Sequence, residues 1–263
     1  MRPYRIGFFQ FEPEHRNPSL NIERVRQALS YASADLIVLP ELCTSGYMFS
    51  SRTELADFAE KVPEGLTCQV LARVSRERNM SIVFGIAESG PAGTSNSAVL
   101  VTPSGGVHVY RKTHLFMDEK NLFERGENAF VAFDAPGCRV GLLICFDYFF
   151  PEPARRLALD GALVVCHPAN LVLDYAQSMT PTRAAENRVF WVLANRTGTE
   201  RLGGREMAFT GSSQIVDPTG KVLYRAKSDT EELVVVEVDL ERAVDKRVTP
   251  NNDVFRDRRT DLY

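Results

Sequence analysis

Three short runs in this chain are almost wholly apolar: Leu36-Ile-Val-Leu39, Val140-Gly-Leu-Leu-Ile144 and Leu163-Val-Val-Cys166. Each is too short for a buried helix and suits a strand covered on both faces. Such strands require layers above and below them, so the chain must place helices or a second sheet against its sheets. The second run is the most informative. It leads into Cys145, then an acid and aromatics, then Pro151 and Pro153, either of which can open a helix. The expected geometry is a strand that ends at a cysteine and turns sharply into a helix. α/β proteins expose nucleophiles at such corners, and a thiolate is intrinsically very nucleophilic. An inert buried thiol is the competing reading, because free cysteine is among the most buried residue types.

The remaining elements read as an alternation of strands and helices. Strands are expected over Arg5–Gln10, Ile82–Ile86, Ala98–Val101, Val107–Lys112, Phe130–Phe133, Phe190–Ala194, Gln214–Val216, Val222–Tyr224 and Leu233–Val238. Helices are expected from Asn17 or Ser19 to about Ala34, over Leu66–Arg78, from about Pro153 to Leu159 and around Thr182–Arg188. Pro168 is read as breaking the strand before it. Ile82–Lys112 and Gln214–Val238 contain no helix and read as antiparallel hairpins. A purely parallel doubly wound sheet is therefore disfavoured against a mixed sheet or a two-sheet sandwich with outer helices.

Charge and cysteine usage narrow the functional classes. The 263 residues carry a formal net charge of −3, which gives no electrostatic case for nucleic acid or an anionic membrane surface. No apolar run reaches membrane-spanning length, and the amino terminus lacks a signal-peptide core. Five cysteines are an odd number, which disfavours a disulfide framework and favours a reducing, cytoplasmic setting. No HxH, HExxH or CxxC spacing supports a metal site, and no cofactor motif is present.

Cys145 is one of three functional groups at apparent strand ends. Glu41 follows Leu36-Ile-Val-Leu-Pro directly, and Lys112 ends Val-His-Val-Tyr-Arg. Each has an ordinary reading: Glu41 as a cap or surface acid, Lys112 as an exposed edge residue. Together they make chemical sense. A thiol needs a base, which a carboxylate supplies. Attack on an amide or nitrile carbon builds negative charge, which a fixed cation and the N–H of Phe146 can stabilise.

The segments Leu36-Ile-Val-Leu-Pro-Glu-Leu42, Tyr110-Arg-Lys-Thr-His-Leu115 and Gly141-Leu-Leu-Ile-Cys-Phe-Asp147 resemble, in that order, the motifs of the nitrilase or carbon–nitrogen hydrolase superfamily. The resemblance runs the length of the chain. It includes His167-Pro-Ala-Asn170 and Arg183-Ala-Ala-Glu-Asn187, and it is strongest to short thermophile-type nitrilases and aliphatic amidases. It implies a Glu-Lys-Cys triad with Cys145 as nucleophile, Glu41 as general base and Lys112 as electrostatic stabiliser. It also implies a second active-site glutamate, for which Glu119 is the first choice and Glu124 the alternative. The implied fold is a four-layer αββα sandwich with two mixed sheets, forming a single domain over 1–263. The resemblance further implies a homodimer or higher homo-oligomer, with the tail from about 245 to 263, including Phe255, Leu262 and Tyr263, at the interface; a disordered tail is the competing reading. No cofactor is implied.

Tyr47, Phe116, Phe146, Tyr148 and Asn170 follow the triad motifs or the next strand end and are the candidates for binding substrate; Phe149 is a further pocket candidate. Core packing explains the aromatics equally well. A small amide is the preferred substrate, with a nitrile or an N-carbamoyl compound as alternatives. Arg196 and Arg201 could meet a substrate carboxylate, but both fall in a Thr-Gly-rich segment read as mobile. A partner-binding protein on the same fold is the non-enzymatic alternative, and a redox-sensing thiol protein is a further one.

Overall fold

The computed structural model describes residues 3–127 and 129–262. Tyr263, named above as part of the tail, lies outside the described residues. The chain begins β1 (Tyr4–Gln10), α1 (Pro18–Ser30), β2 (Leu36–Val38), α2 (Arg52–Ala56), α3 (Leu66–Arg78), β3 (Ser81–Gly90), β4 (Gly93–Val101), β5 (Val107–Arg111) and α4 (Glu119–Leu122). It continues with β6 (Ala132–Ala135), β7 (Cys138–Leu142), α5 (Pro151–Leu159), β8 (Val164–Ala169), α6 (Tyr175–Asn187) and β9 (Phe190–Asn195). The last part holds β10 (Thr199–Leu202), β11 (Arg205–Ala208), β12 (Gln214–Val216), β13 (Val222–Arg225), β14 (Glu232–Val238) and α7 (Glu241–Val244). A short hairpin of β15 (Arg247–Thr249) and β16 (Asn252–Asp253) follows.

Two six-stranded mixed sheets result, in the orders β14-β1-β2-β3-β4-β5 and β13-β12-β9-β8-β7-β6. Each has three parallel strands at its centre, flanked by antiparallel ones. The parallel strands need crossovers: α1 and α3 serve the first sheet, α5 and α6 the second. Residues in the first sheet alternate strictly between two cores. Ile6, Phe8, Leu36, Val38, Val83 and Leu100 face the second sheet. Phe9, Ile37, Ile82, Phe84, Val99 and Val101 face Val25 and Leu29 of α1 and Leu71 and Val74 of α3. This two-residue period gives the sheet two buried faces, which is why its strands read as continuous apolar runs. The four layers are helices, sheet, sheet, helices, in a single mixed α/β domain.

Several elements differ from the sequence reading. β7 stops at Leu142, three residues before the cysteine. Pro168 does not break β8. The Leu143 N–H donates to the Cys166 carbonyl, so even-numbered residues of β8 point their peptide groups at β7. The missing N–H of Pro168 thus faces the side where β7 has already ended. α6 starts at Tyr175 and runs through Pro181. The Gln177 carbonyl, left without its helical donor by that proline, accepts instead from Gln214 Nε2 at 3.1 Å and Arg225 at 3.0 Å. β14 does not continue the β12–β13 hairpin; it crosses to the first sheet and pairs with β1 from Tyr4–Val238 to Gln10–Glu232.

Candidate active site

The segment after β2 carries Glu41 across β3. Leu39 N–H donates to Val83 O, Gly85 N–H to Pro40 O at 3.1 Å and Cys43 N–H to Gly85 O at 3.1 Å. A Cβ on Gly85 would strike the Glu41 backbone and lie 2.6 Å from Leu42 N, so this approach requires glycine. Leu42 turns in the left-handed region at φ 47°. Glu41 is thereby driven inward and is fully buried.

Lys112 follows β5 and is equally buried. Its ammonium donates to Glu41 Oε1 at 2.7 Å and to Glu119 Oε1 at 2.8 Å. Glu119 opens α4 and is held by Tyr47 Oη at 2.7 Å and the Phe116 N–H at 2.9 Å. Asn96 Nδ2 donates to Glu41 Oε1 at 2.7 Å. Burial alone would favour a neutral Lys112, but Glu119 and Glu41 outweigh it and raise the amine well above its ordinary value. Burial raises the Glu119 carboxyl, Lys112 opposes this, and the like charge of Glu41 adds to it. Glu124 stands elsewhere: it pairs with Arg52 at the surface.

Cys145 starts a 3₁₀ turn, Cys145–Phe149, with φ 43°. A non-glycine residue in this region carries roughly 1–2 kcal/mol of strain, and here the surroundings fix it. Asp147 accepts from the Ile144 N–H at 2.8 Å, Tyr110 Oη at 2.8 Å, the His114 N–H at 3.2 Å and His114 Nδ1 at 2.7 Å. That carboxylate ties the cysteine turn to both sides of the lysine segment. His167 secures the turn from below. Trp191 Nε1 only donates, at 3.2 Å to His167 Nδ1, so His167 Nε2–H donates to the Cys145 carbonyl at 3.0 Å. Burial pushes the His167 imidazole down to about 3, which keeps it neutral. Arg183 on α6 donates to the Tyr148 and Phe149 carbonyls, both at 3.1 Å. Burial pushes the Cys145 thiol well up; Glu41 and Glu119 push it further against the attraction of Lys112, and the Asn170 N–H donates to the sulfur.

Cys145 opens into a cavity of about 230 Å³ that Phe116, Phe146, Tyr148 and Asn170 also line. Tyr47 stands apart from it, against Glu119. Asn170 is buried with neither side-chain amide atom hydrogen-bonded. Arg196 is not on a loose loop: it is buried against Glu200, with its guanidinium 4.0 Å from the Phe209 ring centre. Arg201 lies on the β10–β11 hairpin and pairs with Glu206 at 2.7 Å.

Sequence reasoning assigns no role to Asn96, Asp147 or His167. Asn96 carries no signal, since the expected strand begins at Ala98 and only the fold extends β4 back to Gly93. Asp147 and His167 have none beyond proximity, because their partners, Ile144 apart, lie 33 to 37 and 22 to 24 residues away.

The fold and this buried arrangement define a carbon–nitrogen hydrolase: the profile of that family matches residues 11–247, and the chain belongs to it. It is an enzyme acting on carbon–nitrogen bonds other than peptide bonds. A nitrilase of Pyrococcus abyssi is 44% identical over 262 residues, 98% of each chain. An (R)-stereoselective amidase of a Pseudomonas species is 36% identical over 260 residues, covering 97% of this chain and 91% of the amidase. Among solved structures, a mutant amidase from Nesterenkonia sp. AN1, in which acrylamide has undergone Michael addition at the active-site cysteine, superposes with a TM-score of 0.79. That comparison has 28% identity and covers 98% of both chains.

Proposed function

We propose that the protein is a cysteine-dependent amidase that converts a small primary amide to a carboxylic acid and ammonia through a thioester. The observation that carries this reading is one buried ammonium bonded to two carboxylates beside a cysteine that opens into a cavity. Because its surroundings hold the resting thiol protonated, attack requires a base, and Glu41 takes that role. Sγ bonds to the amide carbonyl carbon as its proton passes to Glu41. Negative charge develops on the carbonyl oxygen, where Lys112 and the Phe146 N–H stabilise it. Glu41 returns the proton to nitrogen, the carbon–nitrogen bond breaks and ammonia leaves. Glu41 then deprotonates a water that attacks the thioester, releasing the acid and regenerating the thiol. Glu119 holds Lys112 in place throughout.

A nitrile is the second reading, favoured by the nitrilase at 44% identity. It forms a thioimidate on Cys145 and needs two waters in place of one. Intact-protein mass spectrometry after brief exposure to small amides and nitriles, with ammonia assayed in parallel, tests the proposal. Wild type is expected to carry an acyl mass that Cys145→Ala lacks, with turnover reduced by at least about 10³-fold in the variant. Persistent turnover by pure Cys145→Ala would overturn the nucleophile assignment.

A further inference from the structure

We infer that the acyl group of the natural substrate is uncharged and apolar, of arylalkyl size, in a primary carboxamide; the inference rests on the amidase reading above. The cavity beside Cys145 is walled by Phe116, Phe146, Leu171, Val172, Leu173 and Tyr175. Among the described residues that line it, none carries a formal charge. Besides the thiol and two tyrosine hydroxyls, its polar side chain is Asn170, which is 2% exposed and has both amide atoms unpartnered. These amide atoms are closed to solvent, so the reacting carboxamide turns to the thiol and the Phe146 N–H. The rest of the substrate meets carbon.

Size and charge point the same way. A cavity of roughly 150 Å³ accommodates benzene, so about 230 Å³ has room for a ring, a short linker and the carboxamide. Lys112 is bonded to Glu41 and Glu119, and the other cations near the site are segregated. Arg52, Lys120 and Arg125 line a separate groove of about 480 Å³, for which Phe146 is the shared wall. Arg183 is committed to two carbonyls and Glu186, Arg196 to Glu200, and Arg201 to Glu206. A substrate carboxylate in the Cys145 cavity would find no cation in its walls, and the exposed Asp174 lies between Leu173 and Tyr175 at its edge. Leu173 and Tyr175 are 47% and 53% exposed, so their apolar surface is available to a ligand.

The test measures kcat/KM of the full chain for acetamide, phenylacetamide and succinamate. Phenylacetamide should exceed acetamide by about 10- to 100-fold, the range for burying one aromatic side chain, and succinamate should fall below acetamide. Leu173→Lys, at an exposed position, should cut the phenylacetamide-to-acetamide ratio about tenfold and raise succinamate. Acetamide or succinamate equal to or better than phenylacetamide would overturn this inference and leave the amidase reading standing. An unchanged ratio in Leu173→Lys would remove that residue from the wall and overturn the inference as drawn. Absence of ammonia and of any acyl mass from all three amides would overturn both.

Discussion

The two sheets hold the proposed catalytic residues by different means. The first sheet contributes Glu41 and Lys112 and fixes them chiefly through charge: the ammonium is bonded to two carboxylates, and each carboxylate has a further donor in Asn96 or Tyr47. The second sheet contributes Cys145 and fixes it through backbone: a left-handed turn clamped by Asp147, His167 and Arg183. The difference follows from the groups themselves. Buried charges need partners to be tolerated, so their partners also orient them. A thiol is a weak hydrogen-bonding group that no partner can orient strongly, so the main chain must aim it.

Lys112→Ala strains this contrast most. It leaves Glu41 and Glu119 buried together without their cation, and removing one partner from a buried ion pair costs about 3–5 kcal/mol. Urea unfolding should show that loss, and single-turnover acylation should show a rate at least about 10²-fold lower. An unchanged unfolding midpoint would show that charge does not hold the first sheet's side of the site.

Asp147→Asn tests the backbone side with a smaller effect. The isostere keeps some of the four hydrogen bonds but loses the charge, and hydrogen bonds to charged groups contribute about 1.5–3 kcal/mol each at most. Stability should fall by about 1–3 kcal/mol. The acylation rate should fall while KM changes little, since Asp147 touches neither the cavity nor the Lys112 ammonium. A change confined to KM would contradict a role in aiming the thiol.

His167→Asn gives the smallest effect per measurement and the sharpest sign. The folded-state imidazole is depressed from 6.5 to about 3 by burial, so between those values the unfolded chain binds a proton that the folded chain does not. Its contribution is therefore complete above about pH 6.5 and is lost as pH falls toward about 3. Unfolding free energies between pH 6 and 4 should decline less steeply in the variant, by up to about 1.4 kcal/mol per pH unit. Equal slopes would show that His167 does not titrate in this way.

Much of the fold and of the site is legible in the amino-acid sequence. The pattern over Leu66–Arg78 matches α3 to the residue, and the mixed, layered architecture follows from helix-free stretches set among buried strands. The Glu41 and Cys145 motifs stand out because each sets one reactive residue after an apolar run, and Lys112 because it ends an alternating strand. The departures share a cause. Pro168 reads locally as a breaker and Pro181 falls just outside the expected helix, yet an ended neighbour strand and two side chains from β12 and β13 relieve them. β14 reads as part of the nearest hairpin in sequence, although its partner β1 begins 228 residues earlier.

Which residues are apolar, where reactive groups interrupt them and where the chain can turn all depend on local composition and period, so the linear chain dictates them. That one ammonium lies between two carboxylates from different segments is a property of the folded molecule alone. So is the way Asp147 joins the thiol turn to the lysine segment, and so is a cavity wall of carbon with Arg52, Lys120 and Arg125 beyond Phe146. Those relations are set by long-range packing, in which side chains far apart in sequence compete for the same buried space.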